Sequence, residues 1–98
     1  MIGVLVRFRY GNDFSEARVR QVADAARGKF VNLPGLRSKA FTVDPQRREA
    51  LNFYVWETED AARAFFTAEL TERVAGLYGV APSVEFVSIA ALIENPPP

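Results

Sequence analysis

The chain has 98 residues, 49% of them hydrophobic, and its 12 basic and 12 acidic side chains cancel to zero net charge. It contains neither histidine nor cysteine. That excludes disulfide scaffolds, thiol nucleophiles, cysteine-based zinc sites, Ser-His-Asp triads and histidine-held haem or iron. The hydrophobic fraction suits one globular domain and lies outside the polar, charged range of disordered segments. Balanced charge argues against a nucleic-acid partner, which needs a basic face. The apolar start is broken by Arg7 and Arg9 and carries no leader-like cleavage pattern, and no stretch approaches membrane-spanning length, so a cytoplasmic location is expected.

From Ile2 to Tyr10 the residues alternate, with Val4, Val6, Phe8 and Tyr10 on one side and Leu5, Arg7 and Arg9 on the other. This pattern predicts a strand with one buried face. Gly11-Asn12-Asp13 ends it. Asp13 with Glu16 three positions on makes a capping-box pattern for a helix over about Phe14 to Val31. Val19, Val22, Ala23, Ala26 and Phe30 form its apolar stripe, and Gly28 weakens its last turns. Leu33-Pro34-Gly35 stops that helix.

Leu36 to Val43 and Glu49 to Glu57 read as strands joined by the polar turn Asp44-Pro45-Gln46-Arg47-Arg48, a hairpin. Thr58 stands where an N-cap belongs, ahead of Glu59 and Asp60. The helix that follows should bury Ala62, Phe65, Phe66 and Leu70, and Leu70 to Tyr78 continues it or forms a further short turn. Ser83 to Ile93 reads as the last strand. The whole is expected as one domain over residues 1–94, with residues 95–98 a proline-rich tail.

The order β-α-β-β-α-β predicts an α+β, ferredoxin-like fold: a four-stranded antiparallel sheet in spatial order 4-1-3-2 with the helices on one face. Two helices cover one sheet face, yet the strands look apolar on both. Leu51, Phe53 and Val55 oppose Tyr54 and Trp56, and Val84, Phe86 and Leu92 oppose Val87, Ile89 and Ile93. A patch of that size marks an interface, so a homodimer with sheets packed face to face is expected. The competing arrangement has the second helical segment wrapping further round.

Four stretches in order carry a family likeness: Phe8-Arg9-Tyr10-Gly11-Asn12-Asp13-Phe14, Leu33-Pro34-Gly35-Leu36, Asn52-Phe53-Tyr54-Val55-Trp56-Glu57-Thr58-Glu59-Asp60-Ala61, and Leu77-Tyr78-Gly79-Val80. With them the chain resembles the dimeric α/β-barrel superfamily of antibiotic-biosynthesis monooxygenases, and within it the branch of small monooxygenases. The resemblance implies two sheets pairing into a barrel. It also implies a cavity between sheet and helices for a small aromatic, polyketide-like or apolar molecule, and oxidation by dioxygen with no cofactor and no metal. It argues against the haem-degrading branch, which needs a histidine.

Asn52, Tyr54 and Trp56 alternate, so they share a face. The resemblance places an Asn four residues before a Trp on a pocket strand. Asn52 would then hydrogen-bond a developing anion, Trp56 would pack on the ring and donate its N–H, and Tyr54 would donate or shuttle a proton. The competing reading makes the aromatics core residues with polar tips. The chain departs from the pattern in two places. Ala61, Ala62, Arg63 and Ala64 supply no tyrosine after Trp56, and Gly76 and Leu77 stand near where a later arginine is expected.

Arg7, mid-strand, either binds a substrate anion or pairs with a carboxylate such as Glu85 or Glu57, while Arg9 nearer the strand end should be solvated. Phe65 and Phe66, adjacent on a helix, cannot both face the core fully, so one of them lines a cavity or the dimer contact, or both simply pack. Tyr78 is a further candidate pocket hydroxyl or a helix-end contact. Glu57 and Glu59 do not make a paired-carboxylate site, and no phosphate loop or dinucleotide fingerprint is present. The expected activity is a cofactor-independent monooxygenase. The alternative is a non-catalytic homodimeric module for a small apolar ligand.

Overall fold

The computed structural model describes residues 1–98. Strand β1 runs Ile2–Arg9, helix α1 Glu16–Ala26, strand β2 Leu36–Asp44 and strand β3 Glu49–Trp56. Helices α2 (Glu59–Phe65) and α3 (Ala68–Tyr78) precede the last strand β4, Ser83–Ser88. The sheet order is β2-β3-β1-β4, all antiparallel, which is the predicted ferredoxin-like arrangement.

The register assigns every strand residue to a face. Val6 lies opposite Asn52, Val4 opposite Tyr54 and Ile2 opposite Trp56. Antiparallel partners share a face, so these residues project to one side of the sheet. Ile2, Val4, Val6, Phe8, Ala50, Tyr54 and Trp56 are buried there against Val19 of α1, Ala62 of α2 and Tyr78 of α3. The other face carries Leu5, Arg7, Leu51, Phe53 and Val87, all partly exposed.

Local chemistry shifts several boundaries from their sequence expectation. Asp13 does not cap the first helix. It ends a 3-10 turn, Gly11–Asp13, and Ser15 Oγ takes the cap by accepting from Arg18 N at 3.2 Å. Gly28 falls in a second 3-10 turn, Arg27–Phe30, so α1 stops at Ala26 instead of running to Val31. Thr58 does cap α2, accepting from Ala61 N at 3.1 Å. Thr67 Oγ1 accepts from Leu70 N and starts α3 as a separate helix after a break at Phe66. Gly79, with φ of 85°, supplies the left-handed residue that ends α3.

The last strand is shorter than predicted because β1 gives out first. Ile2 pairs with Ser88, and beyond it β1 has only Met1 to offer. The chain then leaves the β4 edge and reaches the opposite edge, where Glu94 accepts from Arg37 of β2 at 2.7 Å. The second helical segment does not wrap the outer face: Val74 and Tyr78 of α3 pack on the inner core.

Candidate functional site

Strand β2 is an edge strand, and α1 leaves its inner face only partly covered. Between them lies a half-open cavity of about 680 Å³, walled by Val19 and Ala23 of α1, Phe30 of the following turn, and Lys39 and Phe41 of β2. That volume is in the range of small-molecule sites, about 300–1,000 Å³. Asn52 and Tyr78 form its floor.

Asn52 sits on β3 opposite Phe41 on one side and Val6 on the other, and only 3% of it is exposed. Its Nδ2 donates to the Tyr78 hydroxyl at 3.1 Å. The Tyr78 ring is fixed by stacking on Phe8, centroids 3.8 Å apart and planes within 8°. Burial raises the Tyr78 pKa, and the Asn52 hydrogen bond partly offsets this by favouring the oxyanion. Asn52 and Tyr78 are 26 positions apart in sequence, brought together because α3 ends over the centre of β3.

Tyr54 and Trp56 share the face of Asn52 but not its cavity. They stack on each other at 6.2 Å and pack against Phe65 and Phe66 of the α2 end, with Trp56–Phe65 centroids at 5.0 Å. Burial, and secondarily the Tyr78 hydroxyl, pushes the Tyr54 phenol upward. Trp56 Nε1 is buried without a hydrogen-bond partner, the one such side-chain atom in the chain. Phe65 belongs to this aromatic cluster instead of the cavity lining.

Arg7 is on the far side of the sheet. Its partner is neither Glu85 nor Glu57 but Glu49, at 3.0 Å. Arg7 pairs across the ladder with Leu51, so Glu49 is its diagonal neighbour on the same face. Arg9, expected to be solvated, is exposed but also reaches Glu49, at 3.3 Å. No group of three acidic side chains gathers to hold a metal ion.

A residue missed by the sequence reading stands on the cavity wall. Lys39 pairs with Tyr54, which turns it inward, and its Nζ lies 3.4 Å from the Phe30 ring centroid, 4.0 Å from Phe41 and 4.3 Å from Tyr54. Burial pushes its pKa down to about 7. The signal was present in the alternation Lys39, Phe41, Val43 once the hairpin register with β3 is drawn. A second, smaller cavity of about 200 Å³ lies beyond Tyr78, bounded by Tyr10, Arg18 and Val80.

The sheet, its order and its three helices define a ferredoxin-like α+β protein. The chain belongs to the family described as Putative mono-oxygenase ydhR, whose model matches residues 4–86. No curated protein matches it. Among solved structures it is similar to a monooxygenase from the gene ActVA-Orf6 of Streptomyces coelicolor, determined with the ligand nanaomycin D. The identity is 21%, over 97% of this chain and 92% of that one, with a TM-score of 0.70. It is also similar to SnoaB, a cofactor-independent oxygenase from Streptomyces nogalater, at 15% identity over 96% of this chain and 97% of that one, TM-score 0.66. A dimeric ferredoxin-like protein from Thermobifida fusca is 17% identical over 90% of each chain, TM-score 0.67. At these identities the likeness is one of fold.

Proposed function

We propose that the chain is a cofactor-independent monooxygenase, acting with dioxygen on a small aromatic or polyketide-like substrate in the cavity between α1 and β2. The observation that carries this reading is the Asn52–Tyr78 pair, a buried amide donor and a phenol 3.1 Å apart on the floor of an aromatic-walled cavity. Family membership supports the same reaction class. Phe30 and Phe41 present ring surface to a flat substrate. Asn52 Nδ2 is placed to hydrogen-bond an enolate or peroxide oxygen as charge develops there. Such a reaction converts an activated ring methylene to a carbonyl, and the second oxygen atom of dioxygen leaves as water. The electrons come from the substrate.

In this reading Trp56 and Tyr54 act from behind the floor. The unpartnered Trp56 N–H is a donor held dry, and its ring packs against Phe65 and Phe66 on the same face of the sheet as Asn52. Arg7 serves the other face. There, Leu5, Leu51, Phe53 and Val87 form the surface on which a second copy packs, flanked by the Arg7–Glu49 pair. The working unit is thus a homodimer of the domain spanning residues 1–94, in the cytoplasm.

The test is oxygen uptake in metal-free buffer with a panel of anthrones. Turnover to a quinone that is lost in Asn52→Ala supports the proposal. No uptake across the panel, or uptake unchanged in Asn52→Ala and Trp56→Phe, refutes it. The second reading, a ligand-binding module, is favoured by the absence of a tyrosine among residues 61–64. It predicts a co-purifying ligand by native mass spectrometry without oxygen consumption.

A further inference from the structure

Among the side chains that line the cavity, four are cationic, Arg20, Arg27, Arg37 and Lys39, against one carboxylate, Asp24. This excess occurs in a chain whose total charge is zero. Arg20 is committed to Glu16 at 2.8 Å and Arg37 to Glu94 at 2.7 Å, both at the exposed rim. Arg27 has no salt bridge either but is exposed, whereas Lys39 is turned inward, makes no salt bridge and no hydrogen bond, and has three aromatic rings around its Nζ. Ring faces attract a cation, but they do not replace the hydrogen bonds an ammonium loses on burial.

We propose that Lys39 is the residue by which the cavity selects an acidic aromatic ligand, its amine taking up a proton as the ligand binds and its ammonium then holding the aryl oxyanion. The inference rests on the cavity being the ligand site. For a phenolic ligand the proton passes from the ring hydroxyl to Lys39 Nζ. The electron pair of the broken O–H bond stays on the aryl oxygen, and nothing is oxidised. For a carboxylate, already ionised, the proton comes from solvent. Lys39 and Asn52 are diagonal neighbours across the β2–β3 ladder, with backbones about 7–8 Å apart. One flat ligand can therefore meet the ammonium at one edge and the amide donor at the other. The groups facing the Lys39 amine are the Tyr54 phenol from β3 and, across the cavity, Tyr78 from α3, Arg20, Asp24 and Arg27 from the α1 side and Arg37 from β2. Apart from Asp24, which is exposed, none of these is a carboxylate able to hold the ammonium in the ligand's place.

Calorimetry with 2-naphthoate and its neutral isostere 2-naphthamide, run at about pH 8 in two buffers of different ionisation enthalpy, tests this. The expected result is naphthoate binding about tenfold tighter or more, with uptake of close to one proton that naphthamide does not show. Lys39→Met should bring naphthoate to the level of naphthamide and abolish the uptake. Lys39→Arg, charged at every pH, should keep the preference without the uptake. The unmutated chain gives a second measurement, because its only lysines are Lys29 and Lys39 and Lys29 is exposed. On adding naphthoate, the Lys39 side-chain nitrogen signal should move to the ammonium position while Lys29 stays. Equal binding of both probes with a stationary Lys39 signal overturns the role of Lys39 and leaves the cavity as a ligand site. Binding of neither probe overturns both.

Discussion

The Asn52–Tyr78 hydrogen bond can be isolated by a double-mutant cycle. Tyr78→Phe removes the hydroxyl and keeps the ring stacked on Phe8, so its cost is close to that of one hydrogen bond, about 1 kcal/mol. Asn52→Ala loses the same bond and also leaves space at a position that is 3% exposed, for about 2 kcal/mol in all. If the bond is as the geometry shows it, the double variant falls short of the sum of the singles by about 1 kcal/mol. Urea unfolding followed by the fluorescence of Trp56, the sole tryptophan, reads all four corners of the cycle. A second readout follows from the electrostatics. Asn52 favours the Tyr78 oxyanion, so Asn52→Ala should push the already raised phenol pKa higher in ultraviolet titration. Strict additivity of the two substitutions, with no change in titration, would refute the paired arrangement.

Three further outcomes follow from the same structure. The folded-state pKa of Lys39 is lowered to about 7, so between there and its unfolded value the unfolded chain binds more protons. Stability should therefore rise with pH across that window, and the rise should vanish in Lys39→Met, as urea midpoints would show. Gly35 has φ of 83°, and an added Cβ would lie 3.0 Å from Ala61 Cβ. Gly35→Ala should cost about 1–3 kcal/mol in thermal or chemical unfolding, and an unchanged midpoint would contradict this. For the proposed homodimer, light scattering should find the parent dimeric and Phe53→Glu, on the outer face, monomeric with unaltered circular dichroism; a monomeric parent or a dimer that survives the substitution would contradict the proposed interface.

The fold was legible because its signals are local and repeated. Alternation set the strands, Thr58 and Pro34 set boundaries, and the order of elements left one common topology. Errors came where two residues competed for one task, as Ser15 and Asp13 did for the first cap, or where a partner ran out, as β1 did beyond Ile2. The candidate site was legible in part. Asn52, Tyr54 and Trp56 do share the inner face, but which of them borders open space depends on where α1 stops and where α3 lands. Periodicity in β3 carries no information about either. Arg7 showed the same gap. Its face follows from parity, while its partner Glu49 needed the β1–β3 register. Lys39 escaped notice because an edge-strand lysine is ordinarily a solvated charge, and only the register with Tyr54 turns it inward.

In the proposed function, oxidation of an aromatic substrate takes place in the cavity between α1 and β2. Ala23 lines that cavity from α1, so a larger side chain there takes up its space while the Asn52 and Tyr78 side chains are retained. Oxygen uptake with an anthrone substrate, measured for the parent and for Ala23→Trp with matched circular dichroism, tests the claim most directly. Uptake by the parent that collapses in the plugged variant is the predicted result. Uptake that survives the plug, or a parent that consumes no oxygen, would contradict it.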